Sequence, residues 1–274
     1  KIIPHKNSAL LAVTQSGETA DTLASVKKAK ELGILTLGMV NVVGSTIARE
    51  TDAGVYNHAG PEVSIASTKA FISQVTAFVL LTLLIGRERG LSQKEGIEIA
   101  TALSQVSTFA RKILESHEHI KRIAEKYASY RDAMYIGRKL HAPVAYEGSL
   151  KLKEVTYIHA EAYAGGELKH GSIAMLDENF PVVALVPQDD VYEKMISNIQ
   201  EVKARSAPVL AIATEGDAQI ADIADDVIYV PKVHPIVQPI LSVIPLQLLA
   251  YYVGVAKGYN VDRPRNLAKS VTVE

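Results

Sequence analysis

Ala9-Leu10-Leu11-Ala12-Val13-Thr14-Gln15-Ser16-Gly17-Glu18-Thr19 is the stretch whose reading decides the fold class. Residues 9–13 are continuously apolar, the pattern of a strand buried on both faces. Residues 19–32 read as a helix, and Gly33 stands where a C-cap glycine belongs. Between strand and helix, Thr14 to Thr19 can gather hydroxyls, an amide and open backbone N–H groups around one point. That point is the start of a helix, where the first N–H groups lack partners and the macrodipole is positive. Strand, small polar turn and helix N-terminus together make a seat for a phosphate or carboxylate. The competing reading is that Ser16 or Thr19 only caps the helix. A cap needs one hydroxyl, and this stretch offers Thr14, Ser16 and Thr19.

Outward from there, residues 34–40 read as a second buried strand, 45–50 as a short helix and 54–57 as a strand. Ala59-Gly60-Pro61 marks a turn, followed by a helix over 63–85. The same order returns as strand 181–186, helix 191–205, strand 209–214, short helix 219–224 and strand 226–230. His234-Pro235 then leads into a long apolar helix. Leu10-Leu11-Ala12-Val13 aligns with Val183-Ala184-Leu185-Val186, and Asp52 with Asp225, both at an offset of 173. This predicts an internal duplication of one α/β unit, although any two parallel α/β domains share such an order. The expected fold class is α/β, with two tandem domains, each a parallel sheet flanked by helices in three αβα layers.

The second copy carries Pro187-Gln188-Asp189-Asp190 at the turn that matters. Its carboxylates satisfy the helix dipole themselves and repel a phosphate, so one anion seat per chain is expected. A further strand, 133–137, and a helix, 143–159, precede the second copy. Nothing before residue 9 matches them, so the first domain reads as truncated at its N-terminus by about 30–40 residues. The expected layout is a first domain over 1–90, a helical connection over 91–130, and a second domain with a C-terminal tail over 131–274. In the connection, Ser92 and Glu95 form a capping-box pair, and helices are expected over 97–114 and 118–129.

Charge is nearly balanced, 29 basic against 30 acidic residues, with no long run of either sign. That argues against nucleic acid or an acidic membrane surface as the main partner. The absence of cysteine excludes disulfides, thiolate metal sites and a cysteine nucleophile, and fits a reducing, cytoplasmic setting. Lys1-Ile2-Ile3-Pro4-His5 lacks the apolar core of a signal peptide. The apolar stretch 75–85 is too short to cross a membrane, and 236–255 is interrupted by Gln238, Pro239, Ser242, Pro245 and Gln247. Both read as buried helices of a soluble protein.

Glu147-Gly148-Ser149-Leu150-Lys151-Leu152-Lys153-Glu154 places Lys151 and Glu154 as neighbours at i, i+3 on a helix. The bland reading is a surface ion pair; the sharper one is a carboxylate on a partly buried face acting as general base or acid. Gly165-Gly166 precedes Glu167-Leu168-Lys169-His170-Gly171, a mobile or closely approached loop where His170 is either catalytic or simply solvated. His117 and His119, at i, i+2, point apart on a helix and no cysteine or clustered carboxylate joins them, so no metal is assigned. Pro264, Leu267, Ala268, Val271 and Val273 suggest a tail packed in a defined path rather than a disordered one. Lys269 in that tail could reach a carbonyl, and a desolvated lysine is the usual Schiff-base former.

Taken together, Ser16-Gly17-Glu18-Thr19-Ala20-Asp21-Thr22, Ala66-Ser67-Thr68-Lys69-Ala70, Leu150-Lys151-Leu152-Lys153-Glu154, His159-Ala160-Glu161-Ala162, Gly166 to Gly171 and Pro264 to Glu274 resemble one family. It is the isomerase half, two sugar-isomerase (SIS) domains, of the glutamine–fructose-6-phosphate aminotransferases, or glucosamine-6-phosphate synthases. The resemblance covers the whole chain. It implies that Thr14, Gln15, Ser16 and Thr19 hold the phosphate of fructose-6-phosphate, with Thr14 standing where a serine is common. It implies that Glu154 moves a proton between C1 and C2, and that His170, supplied by the partner subunit of a homodimer, opens the sugar ring. Lys269 would form a Schiff base with the C2 carbonyl. Lys151 would lie beside the substrate, Ile65 and Ala268 would contact it through their backbone, and Ser67 is carried over as a further binding residue.

The implied partners are fructose-6-phosphate, glucose-6-phosphate and glucosamine-6-phosphate, with no cofactor, no nucleic acid and no membrane. The family's N-terminal glutaminase domain, with its cysteine nucleophile, is not in this sequence, so ammonia would have to come from elsewhere. Two other readings compete: a non-catalytic sugar-phosphate-binding module, which needs the phosphate seat but not Glu154, His170 and Lys269, and a related sugar-phosphate deaminase or deglycase.

Overall fold

In the computed structural model, residue 5 and residues 7–269 are described. The motif positions 270–274 lie outside them. In chain order the elements are β1 (Ala9–Thr14), α1 (Ala20–Glu31), β2 (Leu35–Val40), α2 (Thr46–Glu50), β3 (Ala53–Tyr56), α3 (Lys69–Glu88), α4 (Gln93–Glu115) and α5 (His117–Tyr127). They continue with β4 (Asp132–Gly137), α6 (His141–Thr156), β5 (His159–Ala164), β6 (Val182–Val186), α7 (Tyr192–Lys203), β7 (Val209–Thr214), α8 (Ala218–Ala221), β8 (Asp226–Val230) and α9 (Gln238–Ala256). The chain divides into two compact units. One holds the described residues up to Phe78 with those from Arg265 onward; the other is Val79–Pro264.

The first unit contains a three-stranded parallel sheet in the order β1-β2-β3, with α1 and α2 against it. Its small core is Ala12, Val26, Val40 and Ile47. The second contains a five-stranded parallel sheet in the order β5-β4-β6-β7-β8. Both faces of this sheet are covered, which is why β6 and β7 read as apolar runs. Met134, Ile136, Val182, Ala184 and Val186 meet Met195 and Ile199 of α7 on one face. Tyr135 and Val183 face Leu152 of α6 and Leu249 and Val253 of α9 on the other. Both units are therefore parallel sheets flanked by helices, the α/β class expected.

The duplication is visible in the hydrogen bonds. Leu37 of β2 is in register with Ala53, and Leu210 of β7 with Asp226. The Asp52 carboxylate accepts the Thr36 N–H at 2.9 Å, and that of Asp225 the Val209 N–H at 2.7 Å. Lys30 Nζ lies 3.8 Å from Asp52, and Lys203 Nζ 2.7 Å from Asp225. All these pairs repeat at the offset of 173. The aspartate locks the start of one strand to the end of the short helix preceding the next, and the lysine of the preceding helix neutralises it. The copies differ at β4, which pairs with β6; among the described residues β1 has no second neighbour.

Several expectations need correction. The helix expected over 63–85 begins only at Lys69, because the Glu62 carboxylate draws in the Thr68 and Ala70 N–H groups and holds 63–68 as a loop. The helix expected over 143–159 spans His141–Thr156 and stops at Tyr157, which takes a left-handed conformation with φ 60°. His159 then opens β5, an unexpected strand. The apolar stretch at 75–85 belongs to a 20-residue helix that is mostly not buried, rather than to a short buried one. α3 and α9 are both long and apolar enough to cross a membrane by length and composition. α9 is 67 % buried beneath α6 and α5, and no described helix covers α3 in that way.

The capping box at α4 forms as expected, with the Ser92 hydroxyl accepting the Glu95 N–H and the Glu95 carboxylate accepting the Ser92 N–H. His117 and His119 are taken up separately, by the Tyr252 hydroxyl at 2.8 Å and the Val227 carbonyl at 2.9 Å.

Candidate active site

The residues singled out by the sequence fall into two groups, one in each unit. In the first unit, β1, β2 and β3 are parallel, so their carboxyl ends share one edge of the sheet. Ligands of open parallel sheets bind beyond that edge. The turn at Thr14 to Thr19 leaves from it. Thr14 is buried and its Oγ1 accepts the Gly17 N–H at 3.1 Å, while Ser16 Oγ accepts the Glu18 N–H at 3.2 Å. Thr19 is the N-cap residue of α1, yet its side chain makes no capping bond. Capping therefore does not account for these hydroxyls.

The turn is braced from β2 and α2. The Val42 N–H donates to the Gln15 carbonyl at 3.3 Å and the Ile47 N–H to the Gly17 carbonyl at 2.9 Å. Glu18 Oε1 accepts the Thr46 N–H at 2.8 Å. Hydrogen bonds from the Thr46 side chain and backbone hold the Glu18 carboxyl below its usual range. Gly17 has φ +70°, and a Cβ there would stand 2.0 Å from Ser45 Oγ. Only glycine fits this turn. Ser45 Oγ is itself buried and has no hydrogen-bond partner among the described residues. In the second unit the equivalent turn is already closed: Asp189 Oδ1 accepts the Val191 N–H at 2.9 Å, and Lys139 pairs with Asp190.

The loop before α3 and the C-terminal tail meet in the first unit. Lys269 Nζ donates to the Ser64 carbonyl at 2.7 Å and to the Glu62 carboxylate at 3.1 Å, with the Ile65 carbonyl at 3.5 Å. Ser67 Oγ donates to the same Glu62 carboxylate at 3.1 Å. The structure thus brings Ile65, Ser67 and Lys269 together, with Ala268 adjacent in the chain. Glu62, which joins them, was not found from the sequence. Burial pushes its carboxyl up, but the Thr68 N–H, the Lys269 ammonium and the Ala70 N–H outweigh burial and hold it below the usual range.

In the second unit, α6 carries three charges on one face. Lys151 Nζ lies 2.6 Å from Glu154 Oε2 and 3.5 Å from Glu147 Oε1. The Lys151 side chain is 5 % exposed, Glu147 10 % and Glu154 21 %. A surface ion pair is thereby ruled out. Two carboxylates share one buried lysine, and Glu154 is the more open of the two. Glu147 was passed over in the sequence reading, although its i, i+4 spacing from Lys151 was the available signal.

His170 ends a short 3-10 turn, Leu168–His170, and is exposed. Among the described residues no hydrogen bond or ion pair joins it to Glu154. Of the paired glycines before it, Gly165 is one of close approach: a Cβ would lie 2.7 Å from Asn198 Oδ1. Among the described residues no group of three or more His, Cys, Asp or Glu side chains could hold a metal ion.

Comparison with known proteins places these groups in a family. The SIS domain model matches residues 5–84 and 126–257. The glutamine–fructose-6-phosphate aminotransferase [isomerizing] of Thermus thermophilus is 52 % identical over 265 residues, 96 % of this chain and 44 % of that protein. The protein of the same name from Chlorobaculum tepidum is 51 % identical over 272 residues, 99 % of this chain and 44 % of its own length. The chain thus spans less than half the length of these curated relatives. The solved C-terminal domain of glucosamine-fructose-6-phosphate aminotransferase from Francisella tularensis superposes with a TM-score of 0.91 at 36 % identity, covering 96 % of this chain and 74 % of that one. A glucosamine-6-phosphate deaminase from Thermotoga maritima shares the fold alone, at a TM-score of 0.78 and 22 % identity, covering 98 % of this chain and 77 % of that one. The chain belongs to the SIS domain family and, within it, to the C-terminal domains of the glutamine–fructose-6-phosphate aminotransferases.

Proposed function

We propose that this chain is the ketose–aldose isomerase part of a glucosamine-6-phosphate synthase, acting on fructose-6-phosphate. It would work as a homodimer and receive ammonia from a glutaminase domain. The observation that carries the reading is the buried Glu147–Lys151–Glu154 cluster, because a helix keeps two carboxylates on one desolvated lysine only at a cost. Such a group is suited to lift and return a proton.

In this reading Thr14, Gln15, Ser16 and Thr19 anchor the 6-phosphate at the N-terminus of α1. Charge-assisted hydrogen bonds of about 1.5–3 kcal/mol each are enough to fix one end of the sugar. His170 of the partner copy assists ring opening. The Lys269 amine condenses with the C2 carbonyl of the open chain, releasing water, and ammonia then displaces the lysine amine to leave a free C2 imine. Glu154 then takes a proton from C1 and returns it to C2, while Lys151 orients the carboxylate and stabilises its charged form. Ile65, Ser67 and Ala268 line the sugar.

Conversion of fructose-6-phosphate to glucose-6-phosphate without ammonia tests the base. Glu154→Gln should lower it by a factor of about 10²–10⁴. An unchanged rate refutes the assignment. Borohydride trapping with fructose-6-phosphate should label Lys269, and a label elsewhere refutes the Schiff base. Faster turnover of glucosamine-6-phosphate than of fructose-6-phosphate would favour a deaminase instead.

A further inference from the structure

Glu62 lies in the loop before α3, and its side chain is only 4 % exposed. Its Oε1 takes the Thr68 N–H at 2.7 Å, and its Oε2 takes Ser67 Oγ and Lys269 Nζ, each at 3.1 Å. One carboxylate therefore fixes the loop backbone, a side chain of that loop and the amine of a residue 207 positions away. Lys269 Nζ completes its coordination with the Ser64 and Ile65 carbonyls. Three acceptors arranged so closely, one carboxylate and two carbonyls, define where Nζ can be. Any role for Ile65 and Ser67 near a ligand is tied to the same carboxylate.

We propose that Glu62 is the positioning residue for Lys269, holding its Nζ against the Ser64 and Ile65 carbonyls. The proposal deepens the reading of Lys269 as the Schiff-base lysine and rests on it for its meaning, though not for its test. Condensation with a carbonyl consumes the neutral amine. An adjacent buried carboxylate favours the ammonium, so its removal moves reactivity to lower pH. Among the described residues Glu62 is the titratable group that the structure sets against Lys269 Nζ. Its other neighbours there are backbone carbonyls.

The test uses no sugar. This chain and its variants are labelled with acetic anhydride across pH 6–11, and acetylation of Lys269 is read by peptide mass spectrometry. In Glu62→Gln the half-maximal pH should fall by about one unit, the low end for loss of an opposite charge at this distance. Glu62→Asp keeps the charge but draws it back by one methylene, so a smaller fall is expected; it also serves if the amide variant does not fold. Profiles that superimpose on the wild type in the folded variants overturn the proposal. Borohydride trapping of the wild type with fructose-6-phosphate is run alongside. A label away from Lys269 there refutes the Schiff-base reading and leaves the Glu62 result to stand or fall by itself.

Discussion

Replacing Lys151 with methionine keeps the length and apolar stem of the side chain and removes only the ammonium. Lys151 is 5 % exposed, and its charge is the partner of both Glu154 Oε2 at 2.6 Å and Glu147 Oε1 at 3.5 Å. The variant therefore removes the Lys151 ammonium from beside two carboxylates that are only 10 % and 21 % exposed. Breaking a buried pair in this way costs about 3–5 kcal/mol. For a unit of this size that corresponds to a fall in melting temperature of roughly 6–20 °C. The loss should depend on pH in a definite direction. Burial and mutual repulsion raise the carboxyl pKa in the folded variant above the ordinary glutamate value of about 4.3. The folded state then binds more protons than the unfolded one, so stability falls as pH rises through the raised value. Urea unfolding followed by circular dichroism at pH 5 and pH 8 reads both effects, and the gap to the wild type should be narrower at pH 5. A loss below about 1 kcal/mol, equal at both pH values, would show that solvent screens the cluster as it does a surface pair.

Two further outcomes follow from other sites. Gly17→Ala places a Cβ 2.0 Å from Ser45 Oγ at φ +70°, a strain of about 1–3 kcal/mol, and should weaken fructose-6-phosphate binding at least tenfold by calorimetry; wild-type affinity would remove the turn from the phosphate site. His141 is buried, with Nε2 3.2 Å from Ser242 Oγ, and burial pushes its pKa down to about 4. Because the folded value is depressed, the stability linked to it is full above the ordinary histidine value of about 6.5 and is lost as pH falls toward 4, by about 3 kcal/mol in all. His141→Gln should flatten the stability profile over that window in urea titrations, and an unchanged slope would refute the linkage.

Much of the fold was legible because burial on both sheet faces writes continuous apolar runs, as in β6 and β7; β1 carries such a run too, although Val13 is exposed. The duplication was legible because Asp52 and Asp225 answer the same structural demand, an acceptor for the N–H at the start of a strand. β5 was not legible. Its sequence, His159 to Ala164, sits at the sheet edge with short alanines facing inward and polar groups outward, so it carries little apolar signal. The early part of α3 was misread because its apolar residues were run back to Val63, although Val63 to Thr68 is mostly β-branched residues and serine; the nearby Glu62 carboxylate takes the Thr68 N–H and holds the segment as a loop.

By itself the sequence determined the α/β class and the repeat, and it singled out the turn at Thr14 to Thr19 and the residues Glu154, His170 and Lys269 as candidates, because each is written in local pattern or in a motif of adjacent residues. Only the tertiary structure decided that Lys151 and the two carboxylates spaced beside it on α6 lie in a desolvated setting, and that Glu62 binds Lys269 across 207 positions. The reason is physical. Periodicity reports which face of an element is buried. The partner a buried charge finds depends on how distant segments fold back against one another, and on the need to compensate every charge withdrawn from water.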